Sequence, residues 1–261
     1  MGWENAAEFK KKAEEWENKI IKMNANETKD SVDKSVIYAP DFNENNTKIR
    51  VVQGTSIDAI FKIKTEGKKA VLNFASYKKP GGGYIEGAMA QEESLCHASN
   101  LYQVISNDKF KDDFYGYNNQ HLNKGLYNSR IIYSPNIIFY DLEHTEESFV
   151  PVKECDVITC AAPNKKAAQK YNNVPDYIIE KLMKDRILSV LKVAQQNKVE
   201  VLILGAFGCG VFGNDPLTTA KIFKECLTKY QYYRDVFKLV VFPIPDAKNY
   251  EIFKEILDKV D

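Results

Sequence analysis

The sequence predicts a three-layer α/β/α sandwich with a mixed sheet and a helical extension at the N-terminus. Two observations support this α/β fold class. Short apolar runs of strand length alternate with longer segments of helical periodicity, and several runs are continuously apolar, as in strands buried on both faces. The chain has 261 residues, of which 44% are hydrophobic, so it is long enough to bury one substantial core.

The first 34 residues are predicted to pack, as a helical extension, on a main domain of residues 35–261. Apolar residues recur every three or four positions from Trp3 to about Ile21, which predicts an amphipathic helix. The polar segment from Asn24 to Asp33 is typical of a linker. Strands are predicted at residues 35–39, 48–52, 70–75, 131–140, 156–161, 199–204 and 238–242. Helices are predicted at residues 57–65, 91–105, 176–196, 216–230 and 247–260.

Composition excludes several classes of function. The 36 basic and 36 acidic residues cancel, so no overall field attracts a nucleic-acid backbone or a membrane surface. The five cysteines lack CxxC spacing and the three histidines are scattered, which predicts neither a metal site nor a disulfide framework and favours a cytoplasmic location. Cys96 and His97 are an improbable nucleophile pair, because adjacent residues rarely face each other.

The predicted strand at 70–75 is followed by three consecutive glycines, Gly81, Gly82 and Gly83. After a spacer of seven residues come Gln91, Glu92 and Glu93. Consecutive glycines allow positive φ and let a ligand approach the bare backbone. Taken alone, the glycines could form a flexible hairpin tip, and the glutamates could open a solvated helix. The combination is far more specific than either part.

Two neighbouring carboxylates suit hydrolysis of a glycosidic bond. One can protonate the departing oxygen while the other places negative charge near the developing oxocarbenium ion. Burial and like charge would raise the pKa of at least one of them, which keeps a proton available near neutral pH. At the end of the preceding strand, the Asn73 amide could equally well hydrogen-bond a ribose hydroxyl or satisfy the local backbone.

A second glycine-rich loop, residues 205–216, follows the apolar strand at 199–204. Such a loop can wrap backbone amides around a pyrophosphate without using a cation. Gly208, Gly210 and Gly213 satisfy the dinucleotide fingerprint G-x-G-x-x-G. They come late in the chain, however, and the next strand does not end in an acidic residue. A nicotinamide cofactor is therefore disfavoured.

Three further features border these loops. Phe212 could stack on adenine or brace a ribose, whereas Phe207 is more typical of a core residue. The small residues of segment 160–164 end another apolar strand at what should be the same sheet edge. They could leave room for a ligand or simply be a strand exit.

The motif N-F-A-x4-P-G-G-G from Asn73, a spacer of seven and Q-E-E resembles the signature of the microbial-type poly(ADP-ribose) glycohydrolases, which have the macrodomain fold. The loop at 205–216 resembles the diphosphate-binding loop of that family, and the resemblance extends over most of the chain. It implies a glycosidase that hydrolyses ribose–ribose O-glycosidic bonds in poly(ADP-ribose) and releases ADP-ribose, with no metal or redox cofactor.

The same resemblance implies roles for individual residues. Glu93 would be the general acid, while Glu92 would hold ribose hydroxyls and help orient the scissile bond. Asn73 would contact the same ribose, and Phe212 would constrain the distal ribose. The remaining expected substrate-binding residues are Gly81, Gly82, Gly83 and Gln91 around the catalytic loop, and Gly208, Cys209, Gly210 and Val211 around the diphosphate. Ser56 and Asp58 are candidates for the adenine pocket.

Two alternatives remain open at this stage. The first is a related hydrolase that acts on mono-ADP-ribosyl groups or O-acyl-ADP-ribose. The second is a non-catalytic ADP-ribose-binding macrodomain, against which Glu92 and Glu93 argue, because binding a dianion gains nothing from two nearby carboxylates. The expected partners are poly(ADP-ribose) or an ADP-ribosylated protein as substrate and ADP-ribose as product, without a membrane or general nucleic-acid binding.

Overall fold

The computed structural model describes residues 6–23, 25–38, 47–141, 152–229 and 236–258. The strands are β1 (Val36–Tyr38), β2 (Ile49–Gln53), β3 (Lys69–Phe74), β4 (Ile131–Tyr140), β5 (Val152–Cys160), β6 (Val201–Ile203) and β7 (Leu239–Ile244). The helices are α1 (Ala6–Met23), α2 (Ala25–Lys34), α3 (Ser56–Lys62), α4 (Gln91–His97), α5 (Leu101–Ile105), α6 (Asp108–Phe110), α7 (Tyr117–Gln120), α8 (Lys165–Asn172), α9 (Asp176–Gln196), α10 (Pro216–Thr228) and α11 (Ala247–Leu257). A π-helical turn, Lys111–Gly116, joins α6 to α7.

All seven strands belong to one mixed sheet, in the order β1-β4-β5-β3-β6-β7-β2. The strands from β5 to β2 in that order are parallel to their neighbours, whereas β4 is antiparallel to both β5 and β1. Parallel strands need crossover helices, and these cover both faces of the sheet.

Alternate residues along each strand face two separate cores. On β3, Leu72 packs with α9, α10 and α11, while Val71 packs with α3, α4 and α5. Neighbouring strands follow the same alternation, since Ile158 lies in the first core and Val157 in the second. Two apolar faces, each covered by helices, make the three-layer sandwich that the sequence predicts.

One edge of the sheet collects the loops of interest. The parallel strands β3, β5 and β6 all end there, and β4 begins there because Ile131 lies opposite Cys160. Consequently the loops after Phe74, Cys160 and Ile203 leave the sheet side by side. Crevices at the carboxyl ends of parallel strands are where ligands bind in open α/β sheets.

Helix α1 contacts both the loop that follows β3 and the segment that pairs with the far end of β4. Trp16 Nε1 donates to the Ser99 carbonyl oxygen at 3.3 Å, and the Tyr84 hydroxyl donates to the Glu17 carboxylate at 3.0 Å. Residues 25–33 of the expected linker are instead part of helix α2, and Val32 is buried on its inner face. Asn24 lies outside the described residues. The division of the chain at residue 34 stays a prediction, and Trp3 lies outside the described residues.

Other boundaries differ from the sequence expectations. The helix predicted over 91–105 is interrupted, because Ser99 forms a β-bridge with Phe139 and its hydroxyl donates to the Leu95 carbonyl oxygen at 2.7 Å. The short helices between residues 108 and 120, and helix α8, were not predicted. Ala39, Tyr230 and the last predicted helical residues, 259–260, fall outside the described ranges. Across those ranges every helix is too short or too polar to cross a bilayer.

Candidate active site

The three glycines form a tight turn that follows β3. Gly81 and Gly82 have left-handed backbones, with φ of 66° and 56°, a conformation that side chains disfavour. The Gly82 amide donates to the Lys79 carbonyl oxygen at 3.2 Å, and the Tyr84 amide donates to the Gly81 carbonyl oxygen at 2.9 Å. The turn is thus closed by its own backbone before it reaches α4.

Glu92 lies at the start of α4 and is almost completely buried. Its Oε2 accepts from the Ser76 amide at 2.7 Å, and its Oε1 accepts from Asn73 Nδ2 at 3.1 Å. Burial raises the pKa of Glu92 to about 8, with a smaller contribution from the neighbouring Glu93 charge, although both hydrogen bonds act in the opposite direction. The Glu92 carboxyl group therefore holds a proton near neutral pH.

Glu93 is fixed by two backbone donors. Its Oε1 accepts from the Gly83 amide at 2.8 Å, and its Oε2 accepts from the Ala90 amide at 3.1 Å. The second bond is half of a helix-capping arrangement, which explains why a glutamate suits the third position of α4. The first bond attaches the carboxylate directly to the glycine turn.

The two carboxylates converge on Gly82. A Cβ atom placed on Gly82 would lie 2.5 Å from Glu93 Oε1 and 3.1 Å from Glu92 Oε2. Both oxygens therefore border the same point, next to a backbone that carries no side chain. Only glycine leaves room for both carboxyl groups to pack side by side against this turn.

Asn73 joins the pair from β3. Its Nδ2 also donates to Thr159 Oγ1 at 3.3 Å, while its buried Oδ1 has no hydrogen-bond partner among the described residues. A buried carbonyl oxygen without a partner is costly unless a ligand or water supplies one. Its free acceptor therefore suits a hydroxyl group of a ligand.

Gln91 makes hydrogen bonds within the protein, and its contact with a substrate stays a prediction. Its Oε1 accepts from the Phe74 amide at 2.9 Å. Its Nε2 donates to the Leu72 carbonyl oxygen at 2.8 Å and to Ser56 Oγ at 3.1 Å. The side chain thus anchors α4 to the end of β3. A role as a substrate ligand would require some of these bonds to break.

Both candidates for the adenine pocket have partners within the protein, since Ser56 accepts from Gln91 and Asp58 contacts Thr55 and Lys62. The Asp58 carboxylate accepts from the Thr55 amide at 2.9 Å and forms an ion pair with Lys62. The hydrogen bond and charge of Lys62 lower the pKa of Asp58 to about 2. Asp58 therefore caps α3 as an anion, and its contact with a base stays a prediction.

The loop after β6 presents unpaired backbone donors. Among the described residues, no partner accepts a hydrogen bond from the amides of Gly208, Gly210, Val211 and Phe212. Asn214 holds the loop in shape, since its Nδ2 donates to the carbonyl oxygens of Pro163 and Gly208 at 2.8 and 3.0 Å. Free amides in a glycine-rich loop can bind an anionic group such as a diphosphate. The Cys209 amide differs, because it donates within the loop.

Three aromatic side chains, Tyr77, Tyr127 and Phe212, lie in a row between the loop after β3 and the loop after β6. Tyr77 and Tyr127 are stacked with their ring centroids 3.9 Å apart, and the Tyr127 centroid lies 6.2 Å from that of Phe212. The sequence indicates Phe212 but neither tyrosine. Tyr127 has a left-handed φ of 56°, and no motif in the sequence marks this conformation. Phe207 is fully buried against Phe74, which confirms it as a core residue.

Neither Cys96 nor His97 provides alternative chemistry. Cys96 is fully buried, and burial raises the pKa of its thiol well above the ordinary value. Burial lowers the pKa of His97 to about 4. Both side chains are therefore neutral near pH 7. In the described part of the chain, no cluster of three or more His, Cys, Asp or Glu side chains could hold a metal ion.

Comparison with known proteins identifies the family of this chain. The sequence profile of the microbial-type PARG catalytic domain, where PARG stands for poly(ADP-ribose) glycohydrolase, matches residues 10–141. This chain belongs to that family. The match includes the glycine turn and both carboxyl groups, while the glycine-rich loop at residues 205–216 lies beyond it. No curated protein sequence matches the chain significantly.

Solved PARG structures resemble the whole chain. The poly(ADP-ribose) glycohydrolase from Thermomonospora curvata is 26% identical, with a TM-score of 0.83 over 95% of this chain and 99% of that one. A structure of the same enzyme bound to the inhibitor ADP-HPD gives the same values. The enzyme from Deinococcus radiodurans in complex with ADP-ribose is 27% identical, with a TM-score of 0.80 over 90% and 98% of the two chains. The expected α/β fold, the PARG resemblance and the glycosidase class are confirmed.

Proposed function

We propose that this PARG-family protein hydrolyses ribose–ribose O-glycosidic bonds of poly(ADP-ribose), and that Glu92 and Glu93 carry the reaction. The observation that carries the proposal is the convergence of both carboxyl groups on the backbone of Gly82. A glycosidase of this kind needs a proton donor for the leaving oxygen and negative charge beside the oxocarbenium-like transition state. Two adjacent, buried carboxyl groups supply both.

The pair has a proton available at neutral pH, because burial keeps the Glu92 carboxyl group protonated. The pKa of Glu92 is the raised one, whereas the family resemblance makes Glu93 the group that delivers the proton. As the bond between the anomeric carbon and the bridging oxygen breaks, that oxygen takes the proton. Water then adds its hydroxide to the anomeric carbon and returns a proton to the pair. ADP-ribose and a shortened chain are the products.

Binding of the ADP-ribose unit divides between the two loops. The unpaired Asn73 Oδ1 and the Glu92 carboxyl group would bind ribose hydroxyls. The free amides of Gly208, Gly210, Val211 and Phe212 would bind the diphosphate. The relative from Deinococcus radiodurans was solved with ADP-ribose, which supports this ligand here. The Tyr77–Tyr127–Phe212 chain would enclose the distal ribose.

A pair of isosteric variants tests the catalytic assignment. Glu93→Gln should still bind ADP-ribose in calorimetry and should release product about 10²- to 10⁴-fold more slowly, because a general acid is lost. Glu86→Gln is the matched control, since Glu86 lies exposed in the same loop and pairs with Lys79. Unchanged turnover in Glu93→Gln would overturn the assignment.

The substrate class requires a parallel assay. Polymer-modified protein, mono-ADP-ribosylated protein and O-acyl-ADP-ribose should be offered to the same enzyme, and the polymer should yield free ADP-ribose fastest. Preference for either of the other two would favour the related hydrolase, and binding without any turnover would favour a reader domain. A cytoplasmic location stays a prediction from the cysteine content.

A further inference from the structure

Helix α9 carries a buried arginine at the carboxyl end of β5. Arg186 is 1% exposed and is among the largest fully buried side chains. It occupies an apolar position of the helix, between Met183 and Ile187, both of which lie in the core. An arginine at such a position is unusual, because a buried charge is strongly disfavoured without a partner.

The guanidinium group of Arg186 has only neutral hydrogen-bond partners. One Nη donates to the Ala161 carbonyl oxygen and the other to the Leu126 carbonyl oxygen at 3.0 Å. The Nε is buried and has no partner among the described residues. Cys160 also lies beside it, but burial raises the pKa of that thiol to about 11, so the thiol is neutral.

A counter-ion is missing from the described part of the chain. None of the ion pairs found there, at a limit of 4.0 Å, involves Arg186. The adjacent Asp185 exerts only a weak attraction, and consecutive residues of a helix do not face each other. The arginine keeps its charge, because a guanidinium group is not deprotonated in proteins.

The position of this charge relates it to the diphosphate loop. Ala161 accepts its hydrogen bond, and the next residue, Ala162, touches the loop, since a Cβ on Gly208 would lie 2.8 Å from Ala162 Cβ. The same Cβ would lie 3.2 Å from Met183 Cε, one turn before Arg186. The same few buried residues, Ala161, Ala162 and Met183, therefore connect Arg186 with the loop.

We propose that the diphosphate of bound ADP-ribose is the counter-ion of Arg186. This inference rests on the proposed function. The charge acts across the layer formed by Ala161 and Ala162, through a medium of low dielectric constant in which attraction extends further and salt screens it less than in water. The hydrogen bonds to the Ala161 and Leu126 carbonyl oxygens also keep these two negative dipoles away from the anion. Arg186 is thus a positioning residue with a specific charge requirement.

Ligands of different charge test this role. The full-length protein and its Arg186→Met, Arg186→Gln and Arg186→Lys variants should be titrated with ADP-ribose and ADP by calorimetry and with uncharged adenosine by ligand-observed NMR. Both neutral variants should bind ADP-ribose and ADP about tenfold more weakly, with adenosine affinity unchanged. Arg186→Lys, which restores the charge but not the two-pronged geometry, should recover most of the preference for diphosphate ligands.

Two controls separate charge from packing. Met183→Leu disturbs the same buried layer without changing charge and should leave the ratio of ADP-ribose to adenosine affinity unchanged. Lys166→Met removes an exposed cation whose side chain lies against Gly213 of the same loop and should have a smaller, salt-dependent effect. Arg186→Gln retains a donor for a carbonyl oxygen, and therefore covers the case in which Arg186→Met does not fold.

The outcomes are distinguishable. If the neutral variants lose adenosine and ADP-ribose affinity in parallel, or if Arg186→Lys behaves like Arg186→Met, the residue is only structural and the inference is wrong. Unchanged ADP-ribose affinity in both neutral variants would overturn it as well. If the wild-type protein itself fails to bind ADP-ribose, the proposed function fails instead.

Discussion

Asn73 on β3 and Glu92 on α4 are joined by a hydrogen bond of 3.1 Å between two buried side chains. The bond fixes one oxygen of Glu92, while the Ser76 amide fixes the other. It also fixes the Asn73 amide, so that the free Oδ1 is held in one orientation. The end of β3 and the start of α4 are therefore joined at the proposed catalytic site.

Replacement of Asn73 by Ala should impair catalysis more than binding. The change leaves Glu92 Oε1 and Thr159 Oγ1 without their shared donor, and turnover should fall about 10- to 100-fold because the carboxyl group loses its fixed orientation. Steady-state kinetics on the polymer provide the measurement. Thr159→Val removes only the second acceptor and should retain most activity. Equal losses in both variants would contradict this role.

The raised pKa of Glu92 predicts a pH-dependent stability. The folded-state pKa of about 8 exceeds the ordinary value of 4.5, so the folded protein holds this proton more tightly than the unfolded chain does. The contribution is complete below about pH 4.5 and is lost as the pH rises through about 8.

A neutral variant of Glu92 exposes that dependence. The Tm of Glu92→Gln should rise relative to the wild-type Tm as the pH increases from 5 to about 9. Differential scanning calorimetry of the ligand-free protein across this range is the measurement, with Glu86→Gln as the exposed control. A constant difference in Tm across the range would show that Glu92 titrates normally.

Gly87 lies in tight contact with helix α1, which predicts that a side chain at this position destabilises the protein. A Cβ atom there would clash with the Ala6 carbonyl oxygen and lie 2.7 Å from the Lys10 amide, and the φ of Gly87 is 80°. Gly87→Ala should therefore destabilise the protein by about 2 kcal/mol or more. Chemical denaturation measures this loss. Lys10→Ala removes an exposed side chain on the same turn and should be neutral; a neutral Gly87→Ala would argue against the packing of the extension.

Substitution of two glycines in the loop at residues 205–216 should have different effects on stability. A Cβ on Gly208 would lie 2.6 Å from Asn214 Nδ2, at a φ of 74°, whereas a Cβ on Gly210 would meet nothing within 4 Å. Gly208→Ala should lower the free energy of unfolding of the ligand-free protein by about 1–2 kcal/mol, and Gly210→Ala should leave it unchanged. Similar losses in both variants would mean that the loop has another conformation.

Much of the fold could be predicted because its elements have strong patterns. The bounds of β4 and α9 coincide with the sequence expectations, since β4 has apolar runs on both sides of residues 134–136 and α9 is a long amphipathic segment. Helix α2 was missed because its sequence is polar and it is stabilised by tertiary contacts. The interruption after His97 depends on the pairing of Ser99 with Phe139, which lies far away in the sequence.

The candidate site was only partly predictable. Local motifs indicated the glycine turn, the carboxylates and the diphosphate loop, because each is continuous in sequence. Tyr77, Tyr127 and Arg186 come from three separate elements that meet only in the folded chain. Arg186 did leave a signal, namely a charged residue at an apolar position of α9, and this kind of exception within a periodic pattern is worth testing in other sequences.

The narrow space at Gly82 has an evolutionary consequence. Any side chain at this position would displace the oxygen of Glu93, so a lineage that keeps the acid must also keep the glycine. Once the acid is lost, selection on the glycine relaxes, and a larger residue can fill the vacated volume. The residue at this one position should therefore separate active descendants from those that have become binding proteins, even where other parts of the motif have diverged.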